Sequence, residues 1–164
     1  MKKLLMMVLL MTIGIVSANA QEVYKEVLRM AEEDLNNPKS TLEMKKIATF
    51  KIDELSYMAM KVRDDMMSDT TNVAQMNEAV KLLNEQAVAL YEFITIYLER
   101  LGKTKKVKER ELVNAHFKKI SIENPLFNDM DKELVLSYFD NPKSITQFSL
   151  DTDWLKAVEE AKKK

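Results

Sequence analysis

Apolar residues recur at helical spacing along most of this chain, and the clearest stripe lies near its centre. From residue 73 to residue 101 the apolar positions alternate in steps of three and four, which is the a/d pattern of an amphipathic helix. We therefore predict a long central helix over 72–101. The stripe consists of Val73, Met76, Val80, Leu83, Ala87, Leu90, Ile94, Tyr97 and Leu101.

A second stripe precedes the central one. Ser40 and Glu43 form a capping-box pattern at its start, in which each side chain satisfies a free backbone donor near the other. These features predict a helix over 41–67, and the short connection at 68–71 predicts that the two long helices form an antiparallel hairpin. The apolar positions of this stripe are Ala48, Ile52, Leu55, Ala59, Val62 and Met66.

Proline and glycine mark the expected helix breaks. Every proline follows an asparagine, and the residue before a proline is pushed out of the helical region of backbone space. Gly102 follows the central stripe and is predicted to take the left-handed conformation just beyond a helix end. Apolar spacing between the breaks predicts a first helix over 22–36 and a fourth over 105–121. The Asn-Pro pairs are at 37–38, 124–125 and 141–142.

The part of the chain after Pro125 is predicted to form two short helices, and no segment has a convincing strand pattern. The run 145–150 is predicted to be a loop whose Phe148 enters the core. The fold class is therefore all-α, a compact helical bundle or array around the long hairpin of 41–67 and 72–101. The candidate N-caps of the two short helices are Asp129 or Asp131 for the first, and Asp151 or Thr152 for the second.

The first twenty residues have the pattern of a secretory signal peptide. Two lysines precede an apolar run at 4–16, and small residues in an A-x-A arrangement end at Ala20. The run would form a helix of roughly 20 Å, which is shorter than the roughly 30 Å of a bilayer core. We predict cleavage between Ala20 and Gln21, a single domain over 21–164, and a periplasmic or extracellular location without an integral membrane anchor.

Composition and charge narrow the range of functions. There are 25 basic and 26 acidic residues, so the formal charge of −1 predicts no general attraction to nucleic acid. The absence of cysteine excludes thiol chemistry and lipid attachment through a cysteine. His116 is the only histidine and is predicted to pack at the core boundary. The sequence predicts no catalytic residues, no cofactor and no metal site.

Two other sets of residues are candidates for binding. Flexible thioethers suit either an adaptable core or a partner surface, and four methionines that cannot share one helix face include some that should approach the surface. Aromatic and aspartate residues of the C-terminal third would form either a ligand pocket or a structural lock that holds the short helices on the hairpin. The possible partner surface is Met58, Met60, Met66 and Met67, and the possible pocket or lock is Phe127, Asp129, Phe148, Asp151, Asp153 and Trp154.

Segments 124–134 and 148–154, together with the signal peptide, give the chain a family resemblance. In these parts it resembles small exported all-helical proteins of unknown function from Bacteroidota. The resemblance implies an envelope location and no particular activity.

The sequence predicts a non-enzymatic protein-interaction or scaffold domain whose partner is a protein. The long heptad stripe and the lack of an assembled catalytic set favour this interpretation. The alternative is a small-ligand-binding protein or an enzyme with a pocket in the C-terminal third. Self-association is a further option, because a heptad seam does not specify whether its partner belongs to the same chain.

Overall fold

The computed structural model describes residues 20–68, 73–122, 148 and 150–163, and five α-helices lie within these residues. No strand occurs in this described part of the chain, which confirms the all-α prediction. The predicted short helix after Pro125, with its candidate caps Asp129 and Asp131, lies outside the described residues, as do the second and third Asn-Pro pairs. The helices are α1 (Ala20–Asn36), α2 (Leu42–Ser68), α3 (Val73–Lys103), α4 (Val107–Ile122) and α5 (Trp154–Lys162).

Helices α2 and α3 are the two long helices of the predicted hairpin. The ammonium of Lys51 lies 4.6 Å from the ring centroid of Tyr91. Glu54 lies later than Lys51 in α2, and Gln86 lies earlier than Tyr91 in α3. Both Glu54 and Gln86 form hydrogen bonds with Trp154. Later positions of α2 therefore face earlier positions of α3, so the two helices run antiparallel.

The connection between α1 and α2 confirms the first Asn-Pro break and corrects the predicted cap. Helix α1 ends at Asn36, directly before Asn37-Pro38. The hydroxyl of Thr41 accepts a 3.2 Å hydrogen bond from the N–H of Met44, whereas the hydroxyl of Ser40 donates to the carbonyl of Asp34 at 2.8 Å. The cap of α2 is therefore Thr41, and the predicted capping box of Ser40 with Glu43 is wrong because Ser40 is used to close the preceding helix.

The end of α3 also differs from the prediction. Gly102 lies inside the last turn of α3, which continues to Lys103, and its backbone is not in the left-handed region. Thr104 closes the helix instead, since its N–H and hydroxyl donate to the carbonyl of Leu101 at 3.1 and 2.8 Å. A side chain just beyond the helix provides the cap that glycine was predicted to provide.

The core is an aromatic cluster between α2, α3, α4 and α5. The ring of Phe93 lies 5.2 Å from Phe117, 5.2 Å from Phe148 and 5.0 Å from Trp154, all in edge-to-face geometry. Such pairs add to the stabilisation that burial provides. Phe148 is buried and lies outside the helices, which confirms that it enters the core from a loop.

The central stripe is buried over only part of its length. Ala87, Leu90, Ile94, Tyr97 and Leu101 are all buried. Val73 and Met76, at the start of the same stripe, are 71% and 38% exposed. The apolar stripe is therefore exposed to solvent in the first turns of α3 and buried in the later turns.

The buried face of α2 is rotated from the predicted one. Ala48 and Leu55 are buried as predicted, but Ile52, Ala59 and Val62 are only half-buried. The core face of α2 instead includes Ile47, Phe50, Lys51 and Glu54. Two of these residues are charged, so hydrophobic spacing alone assigns them to the wrong face.

None of the helices within residues 20–68, 73–122 and 150–163 combines the length and the apolar character needed to cross a bilayer.

Candidate functional site

One face of α2 carries polar side chains into the contact with α5. Ile47, Phe50, Glu54, Tyr57 and Lys61 follow one another in steps of three, four, three and four, so they lie along one side of the helix. The first two residues are buried apolar side chains, and the last three face the segment that leads into α5. We call the group of Glu54, Tyr57, Lys61, Asp151 and Trp154 the buried polar cluster.

Glu54 is the centre of the buried polar cluster. Its side chain is completely buried, and its Oε1 accepts a 2.8 Å hydrogen bond from Nε1 of Trp154. Its Oε2 has no hydrogen-bond partner among the described residues. Burial raises the pKa of Glu54 well above its ordinary value; the bond from Trp154 opposes this shift, and the charge of Asp151 reinforces it. The neutral carboxylic acid is therefore favoured at this position.

Asp151 forms the second buried carboxylate of the cluster. Its Oδ1 accepts a 2.6 Å hydrogen bond from the ammonium of Lys61, which is partly exposed. The same ammonium lies 5.7 Å from the ring centroid of Tyr57. Burial raises the pKa of the Tyr57 hydroxyl, and the charges of Asp151 and Glu54 add to the increase. The ion pair links the middle of α2 to the segment before α5.

The start of α5 is fixed by a glutamine of α3. The N-cap of α5 is Asp153, whose Oδ1 accepts from the N–H of Lys156 at 3.3 Å. Gln86 donates to the same oxygen at 3.0 Å and accepts from the N–H of Trp154 at 2.7 Å. The prediction that Asp151 or Thr152 caps this helix is wrong, because Asp151 is bound to Lys61.

Thr152 has a different role from the predicted cap. It is buried, and its hydroxyl donates to the carbonyl of Ser121 near the end of α4. The segment before α5 is thereby tied to α2, α3 and α4 within a few residues.

The structure brings together four of the six residues predicted to form a pocket or a lock. Phe148 and Trp154 lie in the aromatic core, whereas Asp151 and Asp153 bind Lys61 and Gln86. Phe127 and Asp129 lie outside the described residues. The polar groups of Trp154 and the cap carboxylate are directed to partners within the protein, which favours a lock that holds α5 on the hairpin.

The four methionines predicted as a partner surface have different positions. Met58 is half-buried and packs against the core, whereas Met60 is 42% exposed. The side chains of Met66 and Met67 lie outside the described part of the structure. Met58 is thus part of the packing, and Met60 is the one of the two described methionines that reaches the surface.

His116 is half-buried on α4, as predicted, with its ring 5.4 Å from that of Phe117. Its Nε2 is buried and has no hydrogen-bond partner within the described ranges. Burial lowers the pKa of His116; the charges of Arg100 and Lys119 lower it further, and Glu160 opposes them. The described residues contain no group of three or more histidine, aspartate or glutamate side chains placed to hold a metal ion.

No protein-family model, curated protein or solved structure matches this chain. The resemblance to exported helical proteins from Bacteroidota therefore stays a prediction. The functional argument depends on the geometry of the chain itself.

Hydrophobic spacing did not identify four residues of the candidate site or its contacts, namely Glu54, Tyr57, Lys61 and Gln86. The available signal was the alternating three-and-four spacing from Ile47 to Lys61, in which two of five positions are charged. A helix face that includes charged residues is normally predicted to be exposed to solvent, because a buried charge requires a partner. The partners of Glu54 and Lys61 are about a hundred residues away, so the local sequence does not identify them.

Proposed function

We propose that this chain is an exported, non-enzymatic interaction domain that binds a protein through the first turns of α3. The observation that carries the proposal is the exposure of Val73 and Met76 on a heptad stripe whose later positions form the core. An apolar helical seam is a typical docking element for another helix.

The apolar stripe of α3 is exposed at its start and buried at its end, and this difference defines the docking surface. From Ala87 onwards the stripe is covered by other elements, and α5 packs closely on this half of α3. Val80 and Leu83, between the exposed and buried parts, are half-buried. The docking surface therefore consists of Val73, Met76, Val80 and Leu83, with exposure increasing towards the start of the helix.

Export is the second part of the proposal, and the start of α1 is compatible with the predicted cleavage. Removal of residues 1–20 would take only the first residue of α1. The N–H of Tyr24 donates to Oδ1 of Asn84 at 2.8 Å, so a side chain of α3 holds the start of α1 in place beyond the predicted cleavage point. N-terminal sequencing of the protein from the envelope or culture medium should give Gln21 as the first residue, and an intact Met1 would contradict export by this signal.

The alternative function, a ligand pocket in the C-terminal third, has less support. Phe148 and Trp154 are buried against other aromatic rings, and Asp153 caps α5. These contacts account for the described members of the cluster without a ligand. A ligand that contacted the ring of Trp154 directly would require this side chain to leave the core.

Site-specific photo-crosslinking in the native host tests the docking surface. A photoreactive residue at Val73 is compared with one at Leu112, which is equally exposed at 72% but lies on α4. We expect a discrete crosslinked product from position 73 and none from position 112. The charged double variant V73E/M76E should abolish a product formed from position 80, whereas L112E should not.

The outcomes separate the alternatives. A crosslink to a second copy of the chain would indicate self-association through the seam in place of a different partner. Equal, diffuse crosslinking at positions 73 and 112 would contradict a specific docking surface on α3.

A further inference from the structure

The hydrogen bond between Glu54 and Trp154 joins residues one hundred positions apart and attaches the first residue of α5 to the middle of α2. We propose that this contact is a proton-controlled latch. It holds α5 and the segment before it firmly on the hairpin when the Glu54 carboxyl carries its proton, and it loosens when the carboxyl ionises. The latch is independent of what binds to α3.

The first argument is the surroundings of the carboxyl. Glu54 and Trp154 are fully buried, and Trp154 packs between Phe50 and Phe93 at ring distances of 6.2 and 5.0 Å. Oε1 of Glu54 has one donor, and Oε2 has none among the described residues. A buried carboxylate ion with only one hydrogen-bond donor costs much free energy. The neutral acid costs less, because it carries no charge and, within the described part of the chain, only its Oε2 group lacks a partner.

The second argument is the set of charges around Glu54. Asp151 faces it from the segment before α5 and disfavours ionisation, and Lys61 of α2 favours it. Asp53 of α2 acts in the same direction as Asp151. Tyr57, also on α2, is a further titratable neighbour.

Among the described residues, the charged groups that act on the Glu54 carboxyl are therefore Asp151, Lys61 and Asp53. From α3, Gln86 accepts from the N–H of Trp154 and Phe93 packs on its ring, and neither side chain titrates. From α1, Asp34 pairs at 3.8 Å with Lys51, which lies about one turn before Glu54 in α2. Ionised Glu54 would thus have Lys61 as its favourable charge, and Lys61 is already bound to Asp151.

The third argument identifies the part that moves. We expect water to reach Oε2 when Trp154, which binds Oε1, leaves its place, and the same movement to separate Asp151 from Glu54. Helix α5 has nine residues, so it is too short to be stable by itself and depends on its packing. Opening at α5 is therefore the smallest rearrangement that hydrates both carboxyl groups.

The direction of the pH dependence follows from the raised pKa of Glu54. The closed form binds the proton more tightly than the open form, in which the carboxyl has about its ordinary pKa of 4.5. The latch is therefore firmest at and below that pH and weakens as pH rises through the pKa of the closed form. Across this window the opening constant should rise by up to about tenfold per pH unit.

Trp154 is the only tryptophan, so its fluorescence reports directly on the latch. We would measure its emission and the hydrogen-exchange protection of the α5 amides between about pH 4 and 9, with protection corrected for the intrinsic exchange rate. In the unaltered protein, protection of α5 should fall with rising pH by up to about tenfold per unit, while α1 changes less. Emission should shift to longer wavelength over the same range.

The test variant is Glu54→Gln, which keeps the shape of the side chain and cannot ionise. It should abolish the pH-dependent loss of α5 protection, whereas Glu111→Gln, on the exposed surface of α4, should retain it. The same pH dependence in Glu54→Gln as in the unaltered protein would overturn the proposal.

Asp151→Asn provides an independent measurement should Glu54→Gln fail to fold. Removal of the Asp151 charge lowers the pKa of Glu54, so the pH at which α5 becomes less protected should move to a lower value. An unchanged or higher pH for this transition would overturn the proposal. Uniform loss of protection in all helices of the unaltered protein would also overturn it, because a latch opens locally.

Discussion

The side-chain oxygen of Asn84 accepts a 2.8 Å hydrogen bond from the backbone N–H of Tyr24, sixty positions earlier in the chain. The amide nitrogen of Asn84 donates to the carbonyl of Val80 at 2.6 Å. One buried residue of α3 therefore satisfies a donor at the start of α1 and fixes its own orientation through its helix. The hydroxyl of Tyr24 donates to the carbonyl of Leu55 at 3.0 Å, so α1 is tied to both long helices.

Substitution of Asn84 by alanine should destabilise the protein. The N–H of Tyr24 would lose its side-chain acceptor, and the net loss of one hydrogen bond costs about 0.5–1.5 kcal/mol. Denaturant unfolding followed by circular dichroism measures the change. Asn77→Ala, at an exposed position of the same helix, is the matched control and should change the stability much less. Equal effects of the two variants would mean that Asn84 contributes only through helix propensity.

Substitution of Gln86 by alanine should weaken the attachment of α5. The change removes the donor to Asp153 and the acceptor for the N–H of Trp154, so we expect a loss of about 1–3 kcal/mol. Thermal unfolding followed by circular dichroism checks the size of the effect, with the exposed Gln75→Ala as the control. Hydrogen exchange should show the loss of protection mainly in α5, and a loss confined to α1 would contradict this assignment.

Two substitutions of Trp154 separate its hydrogen bond from its packing and test the lock. Trp154→Phe keeps an aromatic ring and removes the donor to Glu54, so it should cost about 1–3 kcal/mol. Trp154→Ala should cost about 3–5 kcal/mol because it leaves a cavity in the aromatic core. Urea unfolding measures both, and Leu155→Ala, at an exposed position, provides the control. Retention of the full free energy of unfolding in Trp154→Ala would favour a ligand pocket over the lock.

His116 should make the protein less stable in acid. Burial lowers its pKa below the ordinary 6.5, so the neutral form is favoured in the folded state. Its contribution is present above about pH 6.5 and is lost as pH falls through the lower pKa of the folded state. His116→Gln should flatten this acid-side loss when unfolding free energies are compared between about pH 5 and 7. An unchanged slope would show that His116 is equally easy to protonate in the folded and unfolded states.

Protonation of His116 and protonation of Glu54 should change the free energy of unfolding in opposite directions, so the two effects can be distinguished. Protonation of His116 opposes folding, whereas protonation of Glu54 favours it. The pH dependence of the unaltered protein therefore contains these two effects with opposite sign. Each single variant, measured against the unaltered protein at the same pH, isolates one of them.

The sequence predicted the helices well because helix formation depends on neighbouring residues. The predicted ranges of 41–67 and 72–101 correspond to α2 and α3, and Pro38 marks the break before α2. Phe148 was correctly predicted to enter the core from a loop. The errors are at the helix ends, where Thr41, Thr104 and Asp153 provide the caps in place of the residues predicted from local patterns.

The candidate site was harder to predict than the helices. The C-terminal cluster was identified from its composition, and Asp151, Asp153 and Trp154 do lie together. Their partners Glu54 and Gln86 were not identified. A buried carboxyl looks the same in sequence as an exposed one, and only its distant donor distinguishes it.

The amino-acid sequence by itself determined the class of the fold, since apolar spacing and the restrictions imposed by proline act over one or a few helical turns. The tertiary structure decided which side of each helix became the interior. It placed the ionisable residue Glu54 in the core and left the apolar residue Val73 at the surface. The physical reason is that burial depends on what packs opposite a residue, and in this protein the opposing groups come from parts of the chain up to one hundred positions away.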